Sequence, residues 1–128
     1  MSLARQKRGL AARLSGRRAE WHAALLLMFK GYRILGFRLK TPQGEIDLLA
    51  LRGRTLAVVE VKRRATLEAA LECVSHDQRR RLRRAGLAIA QRRPGLKGAF
   101  VRLDLIALAP RRLPRHIVDA WRNDGHTA

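Results

Sequence analysis

Acidic side chains stand inside segments of this sequence that otherwise have the pattern of β-strands. Glu45 and Asp47 are two residues apart, so both point to one face of their strand, about 7 Å from each other. Glu60 and Lys62 have the same spacing in a later strand, and the other residues over 56–61 are apolar. A carboxylate in a strand buried on both faces is costly unless a cation, a metal or hydrogen bonds compensate it.

Two interpretations of these charges are open. In the first, Glu60 forms an ion pair with Lys62 or with an arginine across the sheet and serves the fold alone. In the second, Asp47, Glu60 and Lys62 converge on the sheet surface and bind Mg²⁺ or Mn²⁺, which prefer hard oxygen ligands. Lys62 would then lower the pKa of an attacking water or stabilise negative charge developing on phosphorus. Phosphodiester hydrolysis needs such a set of groups.

The composition indicates a polyanionic partner. The 128 residues include 28 Lys and Arg against 10 Asp and Glu, a formal net charge of +18 at pH 7. Such a charge repels itself unless a polyanion neutralises it, most often nucleic acid, with an anionic membrane surface as the weaker alternative. Apolar runs fall far short of the roughly 20 residues of a membrane span. We therefore expect a cytoplasmic protein with no membrane partner, and the single cysteine, Cys73, excludes an intramolecular disulfide.

The first half of the chain has the pattern of one helix followed by a meander of strands. The helix runs from about Arg17 to Gly31, and its buried face is predicted to consist of Trp21, Ala24, Leu25, Met28 and Phe29. Three strands are predicted over 32–39, 45–51 and 55–61, joined by tight turns. The two strands that carry the acidic residues are therefore expected to be antiparallel neighbours.

The second half is predicted to contain a helix and a further strand. Residues 65–74 fit either a loop or a short helix, and the next helix runs from Ser75, its cap, to about Arg93. A strand over 99–108 follows, which a crossover helix normally places parallel to its partner. Residues 117–121 are predicted to add a final helical turn.

The long helix has one apolar and one basic face. Leu82, Ala85 and Ile89 form the apolar stripe, and four arginines lie opposite, namely Arg79, Arg80, Arg83 and Arg84. Because no acid occurs between residues 79 and 93, nothing local neutralises these arginines. We expect this face to bind phosphates, and a solvated surface is the alternative.

The strand motifs resemble those of a known nuclease superfamily. Asp47 followed by Glu60-Val61-Lys62 resembles the D and (D/E)xK elements of PD-(D/E)XK nucleases, and the element order matches their core. More narrowly, the blocks GYRIL at 31–35, GEIDL at 44–48 and VEVKRR at 59–64 are similar to the signature blocks of the small bacterial YraN family. The resemblance covers roughly residues 16–108.

The resemblance implies an α/β, restriction-endonuclease-like fold, with a mixed sheet flanked by helices. It also implies a catalytic metal site for Mg or Mn made by Glu20, Asp47, Glu60 and Lys62, with the three carboxylates as ligands. Apart from the resemblance, we would assign Glu20 a structural role, because an acid in the first helical turn is favoured by the helix dipole. Gln78 stands where this family generally has Lys, and it is either a site residue or the second member of a capping box with Ser75.

These features predict a metal-dependent, endonuclease-like protein that binds nucleic acid, preferably DNA, and hydrolyses phosphodiester bonds in DNA processing or recombination. The expected nucleic-acid contacts are Arg63, Arg64, Gln78, Arg79, Arg80, Arg83 and Arg84. The alternatives are a non-catalytic nucleic-acid-binding protein on the same fold, and an accessory subunit whose arginines bind an acidic protein.

The chain is expected to form a single domain over 16–122. A flexible basic arm over 1–15 precedes it, for which a solvated tail is the alternative, and a disordered tail over 123–128 follows. We expect a monomer or a weak homodimer, because the sequence leaves no distinctive apolar stripe for a dimer interface.

Overall fold

A five-stranded mixed sheet organises residues 18–124, the part of the chain that the computed structural model describes. In chain order the strands are β1 (Arg33–Thr41), β2 (Gly44–Arg52), β3 (Thr55–Arg63), β4 (Phe100–Leu108) and β5 (Arg115–Ile117). Their order in the sheet is the same. β1 to β3 form an antiparallel meander, β4 is parallel to β3, and β5 is antiparallel to β4. The predicted parallel crossover is confirmed.

Helices cover the sheet. Residues 18–29 are helical and form α1, Leu67–Glu72 form α2, and His76–Arg92 form α3. The short α2 resolves the ambiguity over 65–74 in favour of a helix, because the Thr66 hydroxyl accepts a hydrogen bond from the Ala69 amide and caps it. The predicted α/β class is confirmed, and the architecture is compatible with a restriction-endonuclease-like core. None of the described helices is both long and apolar enough to cross a membrane.

The core has one layer on each side of the sheet. On one side α3 buries its predicted stripe, Leu82, Ala85 and Ile89, against the sheet. On the other side Ala23 and Leu27 of α1 pack against the sheet. Apolar residues therefore alternate to both faces of β2 and β3, as expected for central strands covered by helices on both sides.

The predicted buried face of α1 is wrong except at Ala24. Trp21 is 57% exposed and Phe29 is 92% exposed, and Leu25 and Met28 also face solvent. Besides Ala24, the buried residues of the described part of this helix are Ala19, Ala23 and Leu27. Apolar residues surround most of this helix, so their spacing fits more than one face, and the small alanines allow its backbone to approach the sheet closely.

The predicted final helical turn over 117–121 is also wrong. Residues 115–117 form β5 on the free edge of β4, because edge pairing satisfies backbone groups that a single helical turn would leave open. A 3₁₀ turn over Arg122–Asp124 follows, and it includes two residues of the predicted tail. The predicted arm over 1–15 and the rest of the tail, 125–128, lie outside the described residues.

Candidate functional site

A polar cleft opens between the β1–β2 hairpin and the first turns of α3, and its volume is about 280 Å³. It brings together four predicted site residues, Asp47, Glu60, Lys62 and Gln78. Gln43 and Arg81, which were not among the predicted site residues, also line it. The convergence of the β2 and β3 motifs is therefore present in the structure.

Asp47 lies just beyond the last residue pair that joins β2 to β3. The paired register of the two strands runs from Arg52 opposite Thr55 to Leu48 opposite Val59. Beyond it, the Asp47 Oδ2 atom accepts a hydrogen bond from the Val61 amide at 2.9 Å, which holds the carboxylate against the neighbouring strand. Burial raises the pKa of Asp47 despite this hydrogen bond and the nearby Lys62 ammonium.

Glu60 is the most deeply buried charged group of the cleft. It is 2% exposed, and its Oε2 atom lies 3.6 Å from the Lys62 Nζ atom, so the ion pair of the simpler interpretation exists. Its Oε1 atom is buried and has no hydrogen-bond partner among residues 18–124. Burial, and then the charge of Asp47, raise the pKa of Glu60 to about 8. The ion pair therefore engages only the Oε2 atom, and the buried Oε1 atom has no compensating hydrogen bond from the described residues.

The chemistry of this cleft fits a divalent cation. Mg²⁺ and Mn²⁺ bind hard oxygen ligands and commonly use one or two carboxylates together with water and substrate oxygens. Asp47 and Glu60 provide two such groups, and the Oε1 atom of Glu60, which has no hydrogen-bond partner among residues 18–124, can act as a ligand to a cation. Glu45 also lines the cleft, on its exposed side, but within residues 18–124 no group of three or more His, Cys, Asp or Glu side chains is arranged to hold one ion, so we assign Asp47 and Glu60 as the carboxylate ligands.

Glu20 lies outside the lining of this cleft. Both of its carboxylate oxygens accept hydrogen bonds from the Arg38 Nε atom, at 2.7 and 2.9 Å. Its charge contributes to the raised pKa of Asp47, so the two carboxylates interact through space. In this structure the carboxylate that the resemblance assigns to the metal site is bound by an arginine of β1.

Gln78 contributes its main chain, not its side chain, to the cap of α3. Its backbone amide donates to the Ser75 hydroxyl at 3.1 Å, which is the capping contact at the start of α3. Its side chain lines the cleft beside the carboxylates. Because the cap uses the main chain, the amide side chain is available to a ligand.

The arginines of α3 are more extensively paired than the sequence indicated. Arg79 and Arg83 both bind the carboxylate of Asp124, at 2.7 and 2.9 Å, and both are largely buried. Arg80 pairs with Asp77. The expectation that nothing nearby neutralises this face is therefore wrong for these three residues. Asp77 lies just before the arginines in sequence, and Asp124, which is distant in sequence, lies next to Arg79 and Arg83 in the fold.

Arg81 is the arginine of α3 that faces the cleft. It is exposed and has neither an ion pair nor a hydrogen bond with another residue between 18 and 124. The sequence could have indicated it, since Arg81 follows Gln78 by three positions and therefore shares its side of the helix. The other predicted contacts are also exposed: Arg63 and Arg64 lie at the carboxyl end of β3, next to Lys62, and Arg84 lies on α3.

A separate buried network joins β4 to β5. Arg102 donates hydrogen bonds to both carboxylate oxygens of Asp104, at 2.8 and 2.9 Å. The His116 Nε2 atom and the Asp119 amide also bind this carboxylate, at 2.8 and 2.9 Å. Burial alone would raise the pKa of Asp104, but the hydrogen bonds from His116 and Arg102 lower it. This network anchors the edge strand and lies outside the cleft.

A second, mainly apolar groove of about 660 Å³ runs beside α1. Leu25 and Phe29 line one side, and Leu108, Pro110 and Pro114 line the other. The expectation that no apolar stripe is left over is therefore wrong. The error has the same cause as the inverted face of α1, because side chains assigned to the core lie on the surface.

Comparison with known proteins identifies a family. The profile of the family described as "Uncharacterised protein family UPF0102" matches residues 19–108. A UPF0102 protein of Caulobacter sp. (strain K31) is 70% identical over 122 residues, which are 95% of this chain and 88% of the relative. A UPF0102 protein of Caulobacter vibrioides (strain NA1000 / CB15N) is 67% identical over 117 residues, 91% of this chain and 94% of the relative.

More distant relatives cover nearly the same span. A UPF0102 protein of Parvibaculum lavamentivorans is 53% identical over 114 residues, which are 89% of this chain and 86% of the relative. The matched region contains the β1–β2 hairpin, β3 and α3, and hence every residue of the cleft.

Proposed function

Because the chain belongs to the UPF0102 family, also called the YraN family, we propose that its polar cleft is the active site of a metal-dependent nuclease. The substrate is nucleic acid, above all DNA in the cytoplasm, and the reaction is hydrolysis of a phosphodiester bond. The cation is Mg²⁺ or Mn²⁺. We further propose that the protein acts as a monomer or a weak homodimer.

One observation carries this proposal. Asp47 and Glu60, on neighbouring strands, share a small cleft with Glu45 and Lys62, and one oxygen of the buried Glu60 carboxylate has no hydrogen-bond partner among the described residues. A fold gains nothing from a carboxylate kept in this state, since an apolar side chain at Glu60 would avoid the cost of burying it. Incompletely compensated charges in a cleft are typical of functional sites.

Five residues of the cleft have roles in this reaction. Asp47 and Glu60 would hold the cation, which supplies Lewis-acid stabilisation to a phosphoryl oxygen. The Lys62 ammonium, 24% exposed, faces both the carboxylates and the solvent, and it stabilises charge that develops on phosphorus. Gln78 and Arg81 of α3 lie across the cleft and position the phosphate backbone.

The test is cleavage of single-stranded, duplex and branched DNA by the full chain in Mg²⁺ or Mn²⁺. Asp47→Ala and Lys62→Met are each expected to reduce the cleavage rate by at least about a hundredfold, because each removes a group needed in the transition state. A matched control is Lys40→Met, which removes a lysine of the same hairpin that does not line the cleft. It should cleave like the wild-type chain.

The salt dependence of DNA binding separates binding from catalysis. Arg81→Ala is expected to lower the slope of log K against log salt by about one phosphate contact. Arg79→Ala should leave this slope nearly unchanged, because Asp124 already neutralises Arg79. Metal-dependent cleavage that is absent on all three substrates, with binding intact in Asp47→Ala, would contradict the enzymatic proposal.

A non-catalytic nucleic-acid-binding protein is the second candidate, and the position of Glu20 favours it. The expected third carboxylate is held by Arg38 and does not line the cleft. A binding protein that keeps the fold would show the same salt-dependent affinity with no cleavage. The assays above therefore decide between the two candidates.

A further inference from the structure

Gln43 lies in a hydrogen-bonded turn at the edge of the cleft. The Thr41 hydroxyl accepts hydrogen bonds from the Gln43 and Gly44 amides, at 3.2 and 3.1 Å, and donates to the Gly44 carbonyl at 2.6 Å. Gly44 has a φ of 147°, a conformation that residues with a side chain rarely adopt. The backbone at Gln43 is therefore fixed, and its side chain lines the same cleft as Asp47 and Glu60.

Two residues that line this cleft each have a buried side-chain oxygen with no hydrogen-bond partner in the described part of the chain. Across residues 18–124, the buried side-chain polar atoms without a hydrogen bond are the Oε1 atoms of Gln43 and Glu60. Leaving a buried polar atom unsatisfied costs about 1–3 kcal/mol, so such atoms are rare and require an explanation. Both atoms are acceptors, and a cation bound in the cleft that both residues line would give them a partner.

We propose that Gln43 is a third oxygen ligand of the divalent cation, together with Asp47 and Glu60. This inference rests on the proposed function. An amide oxygen is a hard, neutral ligand of the kind that Mg²⁺ and Mn²⁺ accept beside carboxylates. The site then takes its ligands from the hairpin turn and from two strands. The cation thereby ties the β1–β2 turn to the centre of the sheet.

The test measures Mn²⁺ binding to the full chain, without substrate, through the electron paramagnetic resonance signal of free Mn²⁺. Gln43→Ala is expected to weaken Mn²⁺ binding by about tenfold, a typical effect of losing a group that supports a metal site. Gln43→Glu should bind Mn²⁺ at least as tightly as the wild-type chain, since it keeps the oxygen and adds a charge. Gln91→Ala, at an exposed glutamine of α3, is the matched control and should change nothing.

The outcomes separate this inference from the proposed function. If Asp47→Ala loses Mn²⁺ binding while Gln43→Ala binds like the wild-type chain, Gln43 is not a ligand and the two-carboxylate site stands. If Asp47→Ala also binds like the wild-type chain, or the wild-type chain binds no Mn²⁺, both proposals are wrong. Gln43→Glu preserves the side-chain length, so it tests the inference even if Gln43→Ala fails to fold. Weaker binding in Gln43→Glu would contradict the inference.

Discussion

Glu60 lowers the stability of the fold at the pH where the site would work. Its folded-state pKa of about 8 lies above its ordinary value of 4.5, because burial and then the charge of Asp47 disfavour the carboxylate. Between these two values the unfolded chain releases the proton while the folded chain keeps it. The ionisation of Glu60 therefore does not reduce the free energy of unfolding below pH 4.5, and it reduces this free energy progressively as the pH rises towards 8.

Glu60→Gln is expected to stabilise the protein at pH 8 and to have little effect at pH 4. The gain at pH 8 should be at least about 1 kcal/mol, since one unit of pKa shift corresponds to about 1.4 kcal/mol. Denaturant unfolding at the two pH values, without metal, measures this difference. A Glu60→Gln chain that is less stable than the wild type at pH 8 would show that the carboxylate serves the fold.

At the scale of single elements, α3 is positioned by a close contact at Gly86. A Cβ atom at this position would lie 2.6 Å from the Val58 Cγ2 atom and 2.8 Å from the Val101 Cγ1 atom. Both valines belong to the central strands, so the glycine determines how closely α3 approaches the sheet. That approach in turn places Gln78 and Arg81 over the cleft.

Gly86→Ala is expected to destabilise the protein, although alanine is the better helix former. Overpacking costs about 1–3 kcal/mol, whereas the gain in helix propensity is only about 1 kcal/mol. Gly95→Ala is the control, because a Cβ atom there meets nothing within 4 Å. Thermal unfolding should show a lower Tm for Gly86→Ala alone. An unchanged or higher Tm would mean that α3 shifts without cost.

The exposed face of α1 allows a second prediction at this scale. Phe29→Ser should change the free energy of unfolding by less than about 0.5 kcal/mol, because the ring is already in solvent. Leu27→Ala, in the same helix, should cost about 2–5 kcal/mol, since Leu27 is fully buried. Urea unfolding of both variants measures the contrast. A large loss of unfolding free energy in Phe29→Ser would instead support the buried face that was predicted from periodicity.

At the scale of the whole molecule, the last described residues are tied to α2 and to the first half of α3. Asp124 binds Arg79 and Arg83, and the Trp121 indole donates to the Leu71 carbonyl at 3.1 Å. The hydrogen bond from Arg79 lowers the pKa of Asp124 to about 2. The stability that this ion pair adds is therefore present above pH 4 and is lost as the pH falls towards 2.

Asp124→Asn is expected to destabilise the protein by about 1 kcal/mol at pH 7, a typical value for hydrogen bonds to a charged group that is only partly desolvated. At pH 2 the variant and the wild-type chain should be nearly equally stable. Asp77→Asn is the control, because its pair with Arg80 is largely exposed and contributes little. A loss that persists at pH 2 would mean that Asp124 acts through packing and not through its charge.

The amino-acid sequence by itself determined the strands that carry the motif. Strand alternation and the turn residues at 41–44 and 53–54 are local signals, and they place Asp47 and Glu60 on neighbouring antiparallel strands. The cap at Ser75 is equally local, which explains why α3 begins where predicted. This much follows from a few residues acting on their immediate neighbours.

Only the tertiary structure decided which surfaces are buried and which charges are paired. The exposed face of α1 depends on the sheet beneath it, and the neutralisation of Arg79 depends on Asp124, 45 residues away. The place of Gln43 in the cleft requires the hairpin to lie against α3. These contacts join segments distant in sequence, and no periodicity within one segment records them, because burial and charge pairing are properties of the assembled fold.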